Sequence, residues 1–233
     1  MNIAIIPARG GSKRIPRKNI RTFHGKPIIG WSIELALASK LFEQVIVSTD
    51  CPDIAAVARE FGAEVPFMRP AELSDDHTGT APVVAHAIQW LADQGQPCTH
   101  ACCIYATAPF LRQQYLQEGL RALQQDSTKH FAFSVTSFAF PIFRALKIEN
   151  RQLGMLWPEH AQTRSQDLPE AYHDAGQFYW GIAQAWQEQL PLFASHSAPV
   201  ILPRHLVQDI DTLEDWQRAE LMFEVQQRLE SRP

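Results

Sequence analysis

A chain of 233 residues with 45% apolar content and a net charge of −4 can bury one sizeable core, and its mildly acidic balance excludes a general nucleic-acid-binding surface. No apolar run approaches the roughly 18 residues of a membrane span, and no charged-then-apolar leader with a small-residue cleavage site opens the chain, so a cytoplasmic protein is expected. Four cysteines, Cys51, Cys98, Cys102 and Cys103, are too few and too clustered for a secreted disulfide scaffold and match no common zinc spacing.

The first element is a short apolar strand, Asn2 to Ala8. Directly after it comes PARGGSKRIPRKNI, where Arg9, Lys13, Arg14, Arg17 and Lys18 crowd around Gly10 and Gly11. Like charges repel, so such a loop needs an anion to neutralise it or remains a solvated segment. Helical spacing of Ile28, Trp31, Ile33 and Leu35 predicts a helix over Pro27 to Ser39, and the β-branched run Gln44 to Thr49 predicts a strand ending at Asp50. Pro52 to Phe61 reads as a helix, and EVPFMR as a short strand whose proline places it near an edge. A polar loop, RPAELSDDHTGTAPV from Arg69 to Val83, leads to a helix from about Pro82 to Ala92. The buried strand HACCIYAT, a helix from Gln113 to Gln125 and the strand FAFSVTSF follow. Alternation of this kind implies an α/β fold, a parallel sheet wrapped by helices on both faces, with ligands at the carboxyl ends of the strands.

From about Phe140 to Arg164 the alternation stops: aromatics, a turn at Glu149 to Arg151 and no helical period suggest an inserted β-rich arm. The expected organisation is a single domain over residues 1–233 carrying an arm at approximately 140–165. The core resumes with GQFYWGIAQAW and APVILPRHL, and an amphipathic helix from about Leu213 to Leu229 closes the chain.

Two familiar phosphate loops are excluded. Gly10-Gly11-Ser12-Lys13 does not fit G-x-x-x-x-G-K-S/T, and G-x-G-x-x-G is absent. The loop can still hold a polyphosphate, because Gly10 and Gly11 let backbone N–H groups approach oxygen closely while Arg9 and Lys18 supply charge. In QDIDTLEDW an extended backbone turns Asp209 and Asp211 to one face and Ile210 to the other, so both carboxylates can converge on one hard cation, with magnesium the natural choice. The alternative is that Asp211 and Glu214 form a capping box for the last helix. The Arg69–Val83 segment suits gripping a flat polar group or is an ordinary surface loop. Cys102 and Cys103 read as buried strand residues, since nothing nearby supplies an activating base.

IAIIPARGGSKRIPRKN, VIVSTD, RPAEL, QDLPEAY and DIDTLED, in this order across nearly the whole chain, resemble the acylneuraminate cytidylyltransferase family, the CMP-sialic acid synthetases. The resemblance implies a Rossmann-like nucleotidyltransferase fold and transfer of CMP from CTP to the anomeric hydroxyl of a nine-carbon 2-keto acid sugar, with magnesium and release of pyrophosphate. It also implies a homodimer in which the arm packs on, and can reach the site of, the partner subunit. By matched position, Ala8, Gly10 and Gly11 line the nucleotide loop, Arg9 and Ser12 hold the β- and γ-phosphates, and Lys18 sits against the α-phosphate. Asn19 and Arg69 read cytosine with Thr80 nearby, and Asp209 and Asp211 bind the metal; Arg9, Lys18, Asp209 and Asp211 are the catalytic set. Arg144 and Arg164, on the arm, are the candidates for the sugar carboxylate.

Departures from the family pattern fall on the sugar side. Where sialic acid synthetases have Gln-Pro-Thr-Ser-Pro this chain has YATAPF, with Tyr105 in place of Gln; where they have Asn-Gly-Ala it has DAGQFYWG, with Ala175 and Gln177. These stretches look most like the branch that uses pseudaminic acid, a diacetamido relative of sialic acid lacking the terminal hydroxyl. Tyr105, Phe178, Tyr179 and Trp180 would offer it apolar walls, unless they belong to the core. Another acid sugar (N-acetylneuraminic, legionaminic or octulosonic acid) remains an alternative, as does a non-catalytic nucleotide-binding homologue.

Overall fold

The computed structural model describes residues 1–230. In chain order its strands and α-helices are β1 (Asn2–Pro7), β2 (Thr22–Phe23), β3 (Lys26–Pro27), α1 (Ile28–Ser39), β4 (Gln44–Ser48), α2 (Pro52–Glu60), α3 (Thr80–Asp93), β5 (His100–Ile104), α4 (Gln113–Gln125), β6 (Phe131–Ser137), β7 (Leu146–Glu149), β8 (Gln152–Met155), β9 (Tyr172–Ile182), α5 (Ala183–Gln187), β10 (Ser197–Ile201) and α6 (Leu213–Glu230). No helix among the described residues is long and apolar enough to cross a membrane.

Ile3, Ala4, Ile5 and Ile6 are all fully buried, the mark of a strand covered on both faces. That strand, β1, lies between β4 and β5 and runs parallel to both in a six-stranded sheet of order β10-β6-β9-β5-β1-β4. On one face Ile28, Ile33, Leu116, Trp216 and Phe223 bring α1, α4 and α6 onto the sheet. On the other, Val84, Ala87, Ile88 and Trp186 bring down α3 and α5. The α/β architecture, mostly parallel with helices on both faces, is the expected one.

One strand runs the other way. β9 is antiparallel to both β5 and β6. A helical crossover returns the chain to the edge it left, but between β6 and β9 the chain passes through the arm instead and re-enters from the carboxyl edge. EVPFMR is not a strand: its pairing stops at a single bridge, Ile46 to Glu64, because Pro66 has no N–H to continue a ladder. The chain rejoins the sheet edge only where Arg69 N donates to Thr49 O at 2.8 Å. Helix α3 starts ahead of Pro82, which its first turn tolerates because that N–H would have no intrahelical acceptor.

Within the arm β7 and β8 pair only with each other, turning through Asn150 (φ 51°) and Arg151 (φ 63°) as a two-residue hairpin connection requires. Phe143 packs edge-on against Trp157 and His160 beside it. Leu146, Ile148, Leu153 and Leu156 stay exposed.

The cap of α6 is Thr212, not Asp211. Asp215 N donates to Thr212 Oγ1 at 3.2 Å while Asp215 Oδ2 accepts from Thr212 N at 2.8 Å, a reciprocal capping box. Asp211 and Glu214 therefore do not form one. Thr212→Ala should lower stability by about 1 kcal/mol, whereas exposed Glu214→Ala should stay within about 0.5 kcal/mol; urea denaturation of the two variants checks this.

Candidate functional site

At the carboxyl ends of β1, β4 and β5 lies a cleft of about 440 Å³ lined by the cations Arg9, Lys13, Arg14, Lys18 and Arg69 against the carboxylates Asp76 and Asp211. The excess of positive charge suits a polyphosphate. The loop after β1 forms one wall because its backbone is tied down at several points. Ala8 N donates to Ser48 O at 2.9 Å, and Gly10 N donates to Asp50 Oδ1 at 2.8 Å. A Cβ on Gly10 would stand 2.9 Å from Cys51 Cβ, so only glycine fits there without displacement. Asn19 donates its amide to Arg9 O at 3.0 Å, holding the far end of the loop against its start.

Arg17 leaves the cleft. It has a left-handed backbone, φ 55°, and its guanidinium pairs with Asp53 at 2.9 Å. Gly11 is exposed and Ala8 buried; both shape the loop without lining the cleft, while Ser12, Asn19 and Thr80 do line it. Arg69, 6% exposed, is clamped by Ser48, its Nε donating to Ser48 Oγ at 3.1 Å and its Nη2 to Ser48 O. Desolvation lowers its pKa.

Asp76 bridges the two sides. Its Oδ1 meets Arg9 Nη1 at 2.5 Å and its Oδ2 bonds Lys13 Nζ; these hydrogen bonds, Lys13 first, lower its carboxyl pKa to about 2. Opposite, Asp211 Oδ1 is 2.9 Å from Arg14 Nη2 and 3.3 Å from Lys18 Nζ. Lys18 Nζ also donates to Ile210 O at 2.7 Å, fastening the first loop to the segment before α6.

A second cleft of about 560 Å³ adjoins the first, with Tyr105 in the wall of both. Its lining includes Asp174, Ala175, Tyr179, Arg204, Asp209 and Arg218. Tyr105 Oη is 3.2 Å from Thr80 Oγ1, and Tyr179 Oη donates to Asp174 Oδ2 at 2.6 Å; burial raises the pKa of both phenols, so both are neutral at pH 7. Asp209 meets solvent, yet crowding by protein on its other sides and then the Asp211 charge raise its pKa.

The other sugar-side candidates lie elsewhere. Gln177 is 2% exposed and donates its amide to Leu206 O at 2.5 Å, fixing β9 to the turn after β10. Phe178 and Trp180 point to the opposite face of the sheet from Tyr179, as strand alternation dictates, and are core residues. Arg144 and Arg164 line neither cleft; on the exposed arm they bond Ser165 at 3.3 Å and Asp167 at 2.7 Å. Cys102 and Cys103 are buried in β5, and burial pushes their thiol pKa values up, away from nucleophilic use. Asp50, Asp76, Asp174, Arg204 and Arg218 are additions. The sequence offers Asp50 only as the end of a strand and Asp76 only as part of a polar loop. Asp174 lies in the flagged stretch DAGQFYWG without being singled out there, and for Arg204 and Arg218 the sequence offers no signal.

Asp209 and Asp211 flank Ile210, which is 1% exposed, so both carboxylates are left on the outward side. Two hard oxygen donors fit a magnesium-type ion that completes its shell with water and phosphate oxygens. Among the described residues no group of three or more His, Cys, Asp or Glu is placed to hold a metal by itself.

A family profile described as cytidylyltransferase matches residues 3–227. A pseudaminic acid cytidylyltransferase of Campylobacter jejuni is 48% identical over 225 residues, covering 96% of this chain and 97% of that protein. A longer Helicobacter pylori protein, named as a pseudaminic acid cytidylyltransferase and a UDP-sugar hydrolase, is 38% identical over 208 residues, covering 89% of this chain and 40% of its own length. In fold the chain is similar to a CMP:2-keto-3-deoxy-manno-octonic acid synthetase complexed with CTP, with a TM-score of 0.70 at 17% identity over 97% of this chain and 99% of that one.

Proposed function

Because the chain belongs to the cytidylyltransferase family, we propose that it transfers CMP from CTP to the anomeric hydroxyl of pseudaminic acid and releases pyrophosphate. The observation that carries the reading is the meeting of two clefts at Tyr105, with Asp211 facing the basic cleft and Asp209 the other. A triphosphate in the first cleft and an acid sugar in the second would bring hydroxyl and α-phosphorus together between the carboxylates. The near full-length likeness to a pseudaminic acid enzyme supports the choice of sugar.

In this reading Arg9 and Ser12 hold the β- and γ-phosphates, which replace Asp76 as partner of Arg9 and Lys13 because a polyphosphate carries more charge than one carboxylate. Lys18 lies against the α-phosphate. Cytosine presents acceptors along its carbonyl and ring nitrogen, and Asn19 and the clamped Arg69, with Thr80, offer donors. Tyr105, Ala175 and Tyr179 shape the sugar end. Asp209 and Asp211 hold magnesium, which when bound supplies neutralisation of phosphate charge and polarisation of the attacking hydroxyl. The bond formed is from the hydroxyl oxygen to the α-phosphorus, and the bonds broken are the hydroxyl O–H, whose proton passes to solvent, and the one joining that phosphorus to the bridging oxygen, which leaves with pyrophosphate. Such a reaction calls for positioning and charge stabilisation rather than a covalent nucleophile. The exposed apolar residues of the arm, Leu146, Ile148 and Leu153, are consistent with a homodimer formed through it.

Pyrophosphate release from CTP with a panel of acid sugars, with and without magnesium, tests the reading. Pseudaminic acid should be preferred over N-acetylneuraminic acid by about ten- to a hundredfold in kcat/KM for each hydroxyl left unpaired against the Tyr105 and Tyr179 walls. Tyr105→Gln and Ala175→Asn should narrow the gap. Equal efficiency with both sugars would sink the pseudaminic assignment and leave a cytidylyltransferase for another acid sugar.

A further inference from the structure

Two of the cations that line the basic cleft hold an anion of the protein's own. Arg9 Nη1 lies 2.5 Å from Asp76 Oδ1 and donates to Asp75 O at 3.1 Å, and Lys13 Nζ bonds Asp76 Oδ2. The hydrogen bonds from Lys13 and Arg9 hold the Asp76 carboxyl at about 2, so it carries its full charge at neutral pH. The turn that presents it supports itself. Asp75 Oδ1 accepts from His77 N at 3.0 Å and from Thr78 N at 2.7 Å, an Asx-type turn with Asp76 at its tip, and Thr78 Oγ1 donates to Glu72 O at 3.2 Å. Among the described residues, the only hydrogen bonds joining Asp75, Asp76 and His77 to anything beyond this loop come from Arg9 and Lys13. The tip is exposed and fastened by charge, so its release unfolds nothing else.

Resting on the reading that a triphosphate enters this cleft, we propose that the 75–78 turn is an internal competitor for the terminal phosphates: Asp76 occupies their cations, lowers the apparent affinity for CTP, and returns to Arg9 and Lys13 as pyrophosphate leaves. Arg9 and Lys13 cannot serve the carboxylate and a phosphate group equally, and they favour the partner with more charge and more acceptor oxygens. Apparent affinity is then reduced by the fraction of molecules in which the turn stands open. Discrimination follows from the same exchange. A ligand with charge beyond its α-phosphate displaces the turn, whereas a monophosphate offers Arg9 and Lys13 nothing and leaves Asp76 in place.

Calorimetric binding of CTP, inorganic pyrophosphate and CMP to the full chain at one fixed magnesium concentration tests the proposal. Asp76→Asn, which keeps the shape and removes the charge, should tighten CTP and pyrophosphate by about three- to thirtyfold, the combined weight of two partly exposed ion pairs, and leave CMP within about twofold. Asp75→Ala, which removes the acceptor that shapes the turn, should move CTP and pyrophosphate the same way by a smaller factor. Asp76→Glu keeps the charge and should stay near the unmodified protein. Unchanged or weaker binding of CTP and pyrophosphate by Asp76→Asn would overturn the proposal and assign Asp76 to the structure of the loop or to the bound cation. Equal tightening of CMP would also overturn it, since the carboxylate would then act as a general repulsive charge rather than on the cations of the terminal phosphates. If the unmodified protein turned over no acid sugar, the parent reading would fall, while pyrophosphate binding would still decide whether the turn competes.

Discussion

Asp211→Ala should remain folded and lose turnover by on the order of a thousandfold or more, since it removes one of two carboxylates proposed to hold the cation that neutralises the phosphates. The fold should tolerate the change. Asp211 is not the cap of α6, a role taken by Thr212 with Asp215, and its ion pairs to Arg14 and Lys18 are partly exposed, a class worth about 0–1 kcal/mol. Turnover should suffer for a separate reason: the site loses one of the two oxygen donors proposed to hold the cation against the triphosphate. Asp209→Ala should fall nearly as far. Urea denaturation alongside pyrophosphate release across a magnesium titration separates the two effects. Turnover by Asp211→Ala within about tenfold of the unmodified protein at limiting magnesium would mean that the residue only steadies Arg14 and Lys18.

Lys18→Ala should reduce the chemical step by about 30- to 1000-fold, the equivalent of about 2–4 kcal/mol for one preorganised donor at a developing charge. Its ammonium is placed by geometry rather than chance. The first turn after the basic loop carries it to Ile210 O at 2.7 Å and Asp211 Oδ1 at 3.3 Å, where it lines the basic cleft beside the carboxylate pair. Binding of CTP should weaken less, because Arg9, Lys13 and Arg14 still line the basic cleft proposed to take the triphosphate. Single-turnover rates measured at saturating CTP decide the point. An unchanged rate with only a higher KM for CTP would assign Lys18 to ground-state binding and end its proposed role in the transition state.

Much of this molecule is written in local pattern. The apolar run at Ile3 to Ile6, the helical spacing from Ile28 and the amphipathic stretch from Leu213 each appear as the corresponding element, because periodicity of 2 or 3.6 residues reports directly on burial. The basic loop and the carboxylate pair, on which the proposed nucleotide site rests, are legible for the same reason. Arg9 to Asn19 is one contiguous loop, and Asp209 with Asp211 is one extended stretch, so their chemistry can be read from neighbours in the chain. Tertiary structure decided the rest. The antiparallel course of β9 depends on the arm taking the place of a crossover helix, and only that course places Tyr179 in the second cleft while turning Phe178 and Trp180 into the core. Gln177 looks like a sugar contact until the turn at Leu206 is packed against it. Asp76 reaches Arg9 across a sequence separation of 67 residues, and Arg204 and Arg218 share a cleft with Tyr105 only because β10 and α6 return to the carboxyl edge of the sheet. Such groups carry no mark in the chain: a side chain acquires its role from what faces it, and what faces it is set by strand order and crossover, which no short window of sequence contains.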